Sequence, residues 1–261
     1  MKELSRFACL LAEESKKIIM PYFKKSIQVD IKRDTSPVTI ADRKAEELMR
    51  KLIGKHFPDH GIIGEEFGNS SENAEYVWVL DPIDGTKSFI CGVPLFGTLI
   101  ALLKNKKPIL GIINLPAQNE LFLGLEKKPT TLNGRKIRVR ETSSLKEAVL
   151  LTTDYLDVEK HKNKDAFLNL ARSVKFYRNW GDCYMYALLA RGYADIAMDP
   201  IMNYWDIQAL IPVIKGSGGI ITSREGEDPE NAKSIVASTP KLHKQVIRKL
   251  NEASSEKVRK A

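Results

Sequence analysis

The chain has 261 residues, 43% of them apolar and 28% charged, with a formal net charge of +8. That length can bury a large core in one module or two joined lobes, and the composition is ordinary for a water-soluble globular protein. A helical membrane span is excluded: the longest apolar run, Leu95 to Leu103, contains Gly97 and Thr98 and falls well short of the roughly 20 residues required.

A secretory leader is not expected, because Phe7 to Ala12 is too short for its apolar segment and Glu13 and Glu14 follow at once. The cysteines, Cys9, Cys91 and Cys183, are odd in number and lack CxxC spacing. They read as buried thiols in a reducing compartment, which makes the cytoplasm the expected location. Much of the positive charge lies at the end, where Lys241 to Ala261 carries seven Lys or Arg against Glu252 and Glu256. This segment is expected to form a solvated helix with a frayed tail. No aromatic-rich basic motif accompanies it, so a nucleic acid is not an expected partner; without an apolar span, neither is a membrane. A positive surface would instead help to draw in an anionic substrate.

In chain order, Leu4, Phe7, Ala8, Leu11, Ile18 and Ile19 recur at helical spacing. Thr39, three residues before Asp42, opens a second helix with Ala45, Leu48, Leu52 and Ile53 on its apolar face, ending before Pro58. The texture then turns to sheet, with strands expected at Tyr76 to Leu80, Thr98 to Leu103, Ile109 to Ile113 and Lys136 to Arg140. From Ala148 strands and helices alternate. Strands are expected at Ala148 to Thr153, Ala194 to Met198 and Ser234 to Ala237. Helices are expected around Asp165 to Ala171, from Asp182 to Arg191, and from near Asp206 to Gly216–Gly219. The expected division is an α+β lobe over 1–145, an α/β lobe over 146–250 and a charged tail over 251–261.

The chemistry concentrates in Trp78-Val79-Leu80-Asp81-Pro82-Ile83-Asp84-Gly85-Thr86. An apolar strand ends in one carboxylate and a second follows three residues later. Two like charges buried side by side require a compensating cation, and magnesium takes carboxylate and carbonyl oxygens. Pro82 fixes φ and helps turn the Ile83 carbonyl toward the same point. Gly85 permits close approach, and Thr86 opens a helix, whose N-terminus favours phosphate. An ordinary Asp-Pro/Asp-Gly turn is the competing reading.

With Gly64-Glu65-Glu66 upstream and Trp205-Asp206, Ala209 and Gly218-Gly219 downstream, this segment resembles the inositol monophosphatase family of metal-dependent phosphatases, over about Lys2 to Leu250. Gly61 to Gly68, Thr86-Lys87-Ser88-Phe89-Ile90, and Gly181-Asp182-Cys183-Tyr184 are most similar to its histidinol-phosphatase branch. The resemblance implies an αβαβα sandwich of α+β and α/β layers, two or three Mg2+ ions and a homodimer. It implies that Asp81 bridges metals, that Glu65 and the Ile83 carbonyl help hold one, and that Asp84 and Asp206 complete a second. Glu65, Thr86 and Asp42 would orient and deprotonate water, and the Gly85 and Thr86 amides would receive phosphate. Asp199 would meet the organic part of the substrate.

Local roles compete with these. Asp42 and Asp206 also suit helix N-termini, and Asp182 could simply cap its helix. The neighbours of Asp182 nevertheless suggest substrate contact. Glu66 is expected beside the site or on the surface, Arg191 at a helix C-terminus, and Cys91 as a packed thiol. The expected reaction is hydrolysis of a small soluble phosphate monoester by metal-activated water. L-histidinol phosphate is the leading substrate, its cationic groups suiting Asp182 and Asp199. Inositol 1-phosphate follows, then 3′-phosphoadenosine 5′-phosphate or a sugar bisphosphate. Two alternatives come from other classes: a magnesium-binding regulatory protein without turnover, and an RNA- or membrane-associated protein that uses the basic C-terminal segment.

Overall fold

In a computed structural model the chain is described over residues 1–25, 29–31, 37–161 and 164–251. The first amphipathic stretch forms α1 (Lys2–Ile19), with Phe7, Ala8, Leu11, Ala12 and Ile19 buried along one face. A hairpin of β1 (Val29–Ile31) and β2 (Pro37–Thr39) leads into α2 (Ile40–His56). Thr39 and Asp42 start α2 reciprocally: Thr39 Oγ1 accepts from Ala41 N at 3.1 Å, and Asp42 accepts from Thr39 N at 2.9 Å.

Next come β3 (Gly61–Gly64), β4 (Gly68–Ser70), β5 (Tyr76–Asp84), the short α3 (Thr86–Ile90), β6 (Gly97–Lys104), β7 (Lys107–Leu115), β8 (Glu120–Leu125), β9 (Thr131–Leu132) and β10 (Arg135–Lys136). They form an eight-stranded sheet in the order β10-β9-β8-β7-β6-β5-β3-β4, in which β3 and β5 run parallel. Both faces of β5 are buried, so Val77 to Leu80 run apolar without alternation before the strand reaches Asp81. Trp78 and Leu80 pack with Phe7, Leu11, Met49 and Ile53 beneath α1 and α2, while Val77 and Val79 face the opposite way.

The second half supplies β11 (Val149–Leu151), α4 (Tyr155–His161), α5 (Lys164–Ser173), β12 (Phe176–Arg178), α6 (Asp182–Ala190), β13 (Ile196–Asp199), α7 (Tyr204–Gln208), α8 (Leu210–Gly216), β14 (Ile220–Ser223), β15 (Ile235–Ser238) and α9 (Pro240–Asn251). Its sheet runs β12-β11-β13-β15-β14, with β15 antiparallel to both neighbours. Ala187, Leu188, Leu210 and Val213 join Val79 and Ile113 of the large sheet to Leu151, Ala197 and Ala237 of the small one. Phe167, Leu170, Leu242 and Val246 cover the outer face of the small sheet. The layers therefore alternate α, β, α, β, α, the sandwich that the resemblance implies.

Four expectations need correction. The strand expected at Lys136 to Arg140 stops at Lys136, because Val139 N donates outside the ladder to Ser217 O at 3.0 Å. The helix expected from Asp206 begins at Tyr204 and divides at Ala209. Pro212 has no N–H to offer the Gln208 carbonyl, which breaks the helical ladder there. The basic C-terminal helix is docked, since Leu242, His243, Val246 and Leu250 are buried against the small sheet; residues 252–261 lie outside the described part. Of the three thiols only Cys183 is buried, Cys9 being half-buried and Cys91 exposed. Among the described residues no helix is long and apolar enough to cross a membrane.

Candidate active site

β5 carries the first two carboxylates. Residues three apart on an unbroken strand face opposite sides of a sheet. Here pairing with β6 proceeds to Asp81 opposite Leu99, is interrupted, and resumes at Asp84 opposite Gly97. Pro82 lies in this irregularity, with no N–H to lose from the ladder, and its carbonyl accepts from Thr98 Oγ1 at 2.8 Å. Such a bulge re-aims a side chain. Asp81 and Asp84 consequently converge with Asp206, each offering a carboxylate oxygen within 4.8 Å of the others.

Gly85 follows at φ +87°, where a Cβ would lie 2.9 Å from Leu95 O and 3.0 Å from Asp182 Oδ2. Only glycine meets both the dihedral and the space. Its turn begins α3, where Thr86 Oγ1 donates to Ile83 O at 2.9 Å. A carbonyl oxygen has two lone pairs, so Ile83 can still offer one to a cation.

Glu65 occupies the tight turn between β3 and β4, its N–H bonded to Leu80 O at 3.2 Å, next to Asp81. Asp206 is not the N-cap of α7. That position belongs to Asn203, whose N–H donates to Asp206 Oδ2 at 2.7 Å. Asp182 does not cap α6 either: Gly181 is the N-cap, and Asp182 sits at φ +52°, with its N–H on Thr153 Oγ1 at 2.9 Å. Aspartate tolerates that region better than most residues. Asp199, at the end of β13, accepts from Thr153 N at 3.2 Å and lies 3.5 Å from Tyr186 Oη. Asp42 is buried behind the site and bonded through Oδ2 to Thr39 Oγ1 at 2.6 Å. Glu65, Asp84, Gly85, Thr86, Asp182, Asp199 and Asp206 all line one cavity of about 680 Å3. Asp81 and Asp42 stand behind its wall.

So many buried acids oppose one another's ionisation. Burial, then Glu65, Asp84 and Asp206, push Asp81 well above the ordinary carboxylate range. Burial, then Asp182 and Asp206, do the same to Asp84. Asp206 and Asp199 are each raised to about 7, and Asp182 and Asp42 to about 6, chiefly by burial. Lys87 opposes the shift at Asp182. Asp81 Oδ1 is moreover buried with no hydrogen-bond donor. A donorless buried carboxylate oxygen facing two further carboxylates fits a divalent cation, and an all-oxygen set suits a hard one.

Sequence reasoning missed several parts. Cys183 N donates to Asp84 Oδ2, and Thr153 ties Asp182 to Asp199. Asp154 and Asp157 also line the cavity. Thr153, Asp154 and Asp157 have no local signature, because placement between β11 and the first turn of α4 brings them there, and the Cys183 contact is made by a backbone N–H that no side-chain motif reveals. Arg191 ends α6 as expected and also pairs with Glu120 at 2.7 Å.

The profile of the inositol monophosphatase family matches residues 1–255. The bifunctional phosphatase IMPL2, chloroplastic, of Arabidopsis thaliana is 46% identical over 230 residues, covering 86% of this chain but 66% of IMPL2 itself, just under two thirds. The histidinol-phosphatase of Chlorobaculum parvum is 40% identical over 218 residues, 82% of this chain and 83% of its own. An inositol monophosphatase from Zymomonas mobilis superposes with a TM-score of 0.87 at 36% identity, over 96% of this chain and 98% of that one. With both the fold and the family motifs matched along nearly its whole length, the chain belongs to the inositol monophosphatase family and is a phosphoric monoester hydrolase.

Proposed function

We propose that this protein hydrolyses L-histidinol phosphate, with Mg2+ as its cation and water as the nucleophile. The observation that carries the metal-dependent reading is the convergence of Asp81, Asp84 and Asp206 within 4.8 Å, where one oxygen of Asp81 has no donor. Asp81, Asp84, Asp206, Glu65 and the Ile83 carbonyl would hold two or three ions. Bound magnesium supplies positive charge to the phosphoryl oxygens and makes water a better nucleophile at neutral pH.

The chain's own groups supply orientation and proton transfer. Glu65, in the turn beside Asp81, accepts the proton of the attacking water. Thr86 has its hydroxyl proton on Ile83 O, which leaves its oxygen lone pairs to accept from that water. Asp42, near enough to Glu65 to interact with it electrostatically, would help orient that water, and the Gly85 and Thr86 amides receive phosphate at the start of α3. Asp182 and Asp199 give the organic end of the cavity an acidic wall, suited to an ammonium and an imidazole. A histidinol-phosphatase among the relatives supports the same choice. The resemblance also favours a homodimer, which sedimentation velocity would test.

The deciding experiment ranks histidinol phosphate, inositol 1-phosphate, fructose 1,6-bisphosphate and 3′-phosphoadenosine 5′-phosphate by kcat/KM with and without Mg2+. Histidinol phosphate should lead by at least about tenfold, the value of one well-placed charged contact. Inositol 1-phosphate in first place would overturn the substrate, and turnover undiminished in chelator would overturn the metal.

A further inference from the structure

α2 carries three charged residues at successive i+4 positions, Asp42, Glu46 and Arg50, which therefore share one face. Glu46 has no accessible surface, although it lies outside the cavity and the reaction assigns it nothing. Its carboxylate is fully engaged: Oε2 accepts from Glu66 N at 2.8 Å, and Oε1 accepts from Phe67 N at 3.1 Å and from Arg50 Nε at 2.8 Å. Arg50 in turn donates to Gly68 O. The two side chains thus grip the backbone of the β3–β4 turn at residues 66, 67 and 68, immediately after Glu65. A Cβ at Gly64 would collide with Glu46 Oε1, so glycine there admits the carboxylate.

We propose that Glu46 is a positioning residue, holding the turn so that Glu65 is presented to the cation and the water; the proposal rests on the metal reading above. A buried charge is retained only where its partners satisfy it, and charged acceptors bind N–H groups more strongly than neutral ones. Glu65 is pinned on one side by its N–H to Leu80 O, the strand that carries Asp81. Glu46 pins the other side. Without it two turn N–H groups lose their acceptor, and Glu65 loses its fixed bearing relative to Asp81. The turn would persist, because Gly64 still pairs with Gly68. Partners that orient a ligand in this way are worth about 10–100-fold in metal affinity.

The test is Mn2+ binding to the intact protein, followed by electron paramagnetic resonance, in wild type, Glu46→Ala, Glu65→Gln and the double variant. Glu46→Ala should weaken Mn2+ about tenfold or more, and should have little further effect once Glu65→Gln is present. A purely structural role would weaken both backgrounds equally, so additivity overturns the proposal, as does unchanged affinity in Glu46→Ala. If Glu46→Ala does not fold, Glu46→Gln carries the same comparison, since its amide oxygen can serve only part of the donor set. Failure of wild type to bind Mn2+ would instead strike the metal reading itself.

Discussion

Asp84 shows how a single side chain carries two opposing demands. It accepts from Cys183 N, a contact that favours the carboxylate, while burial, Asp182 and Asp206 favour the neutral acid. Asp84→Asn keeps the volume and removes one of the mutually repelling charges. The folded protein in chelator should therefore melt no lower than wild type, while phosphate release should fall about a thousandfold, the several kcal/mol of charge stabilisation a cation supplies. Full activity in that variant would refute the ligand assignment. Asp182 acts differently, because it lies against Gly85 with only Lys87 opposing its elevated pKa. Asp182→Asn should raise KM for histidinol phosphate about tenfold and leave that for inositol 1-phosphate nearly unchanged. Steady-state kinetics on both substrates checks this, and equal changes would sink the amine-recognition argument.

Elements differ in how far the sequence discloses them. α1 and α2 could be read from apolar spacing and the Thr39–Asp42 start, because those signals are local. The strand ending at Asp81 was legible from its run of apolar residues, but its extension through a bulge to Asp84 was not, since pairing with β6 determines it. Asp81, Asp84 and Asp206 were identifiable as candidates through family motifs, whereas their shared vertex depends on α7 packing against β5. β8 was missed because Glu120 to Leu125 includes Gly124 and follows a turn-rich stretch. α9 was misread for a different reason: counting charge concealed the stripe of Leu242, His243, Val246 and Leu250 beneath it. Leu242→Ala should accordingly cost about 2–5 kcal/mol, as deletions of buried leucine do. Urea unfolding would measure this, with kcat unaltered because α9 covers the outer face of the small sheet, across that sheet from the α6–α8 layer.

Across the entire fold, protons and a divalent cation compete for the same carboxylates, which couples folding stability to both. Asp199 and Asp206 are raised to about 7 and Asp182 and Asp42 to about 6, whereas an unfolded chain would hold them near their ordinary value of about 4. Between those limits the folded state binds more protons than the unfolded state, so its stability falls as pH rises from about 4 to about 7. His243, lowered to about 4 by burial, has the opposite sign, losing stability as pH falls below about 6.5. His60, also lowered by burial, shares that sign, but two histidines are outnumbered by the acids, so in chelator the melting temperature should be higher at pH 5.5 than at pH 8. A divalent cation binds the ionised folded form and stabilises it by mass action. Saturating Mg2+ should therefore raise the melting temperature more at pH 8 than at pH 5.5, by several degrees for a chain of this size. Differential scanning fluorimetry at the two pH values, with and without the ion, reads both effects. Equal shifts at both would mean that the acids at the vertex are already ionised without a cation, and that metal and protons do not share the site.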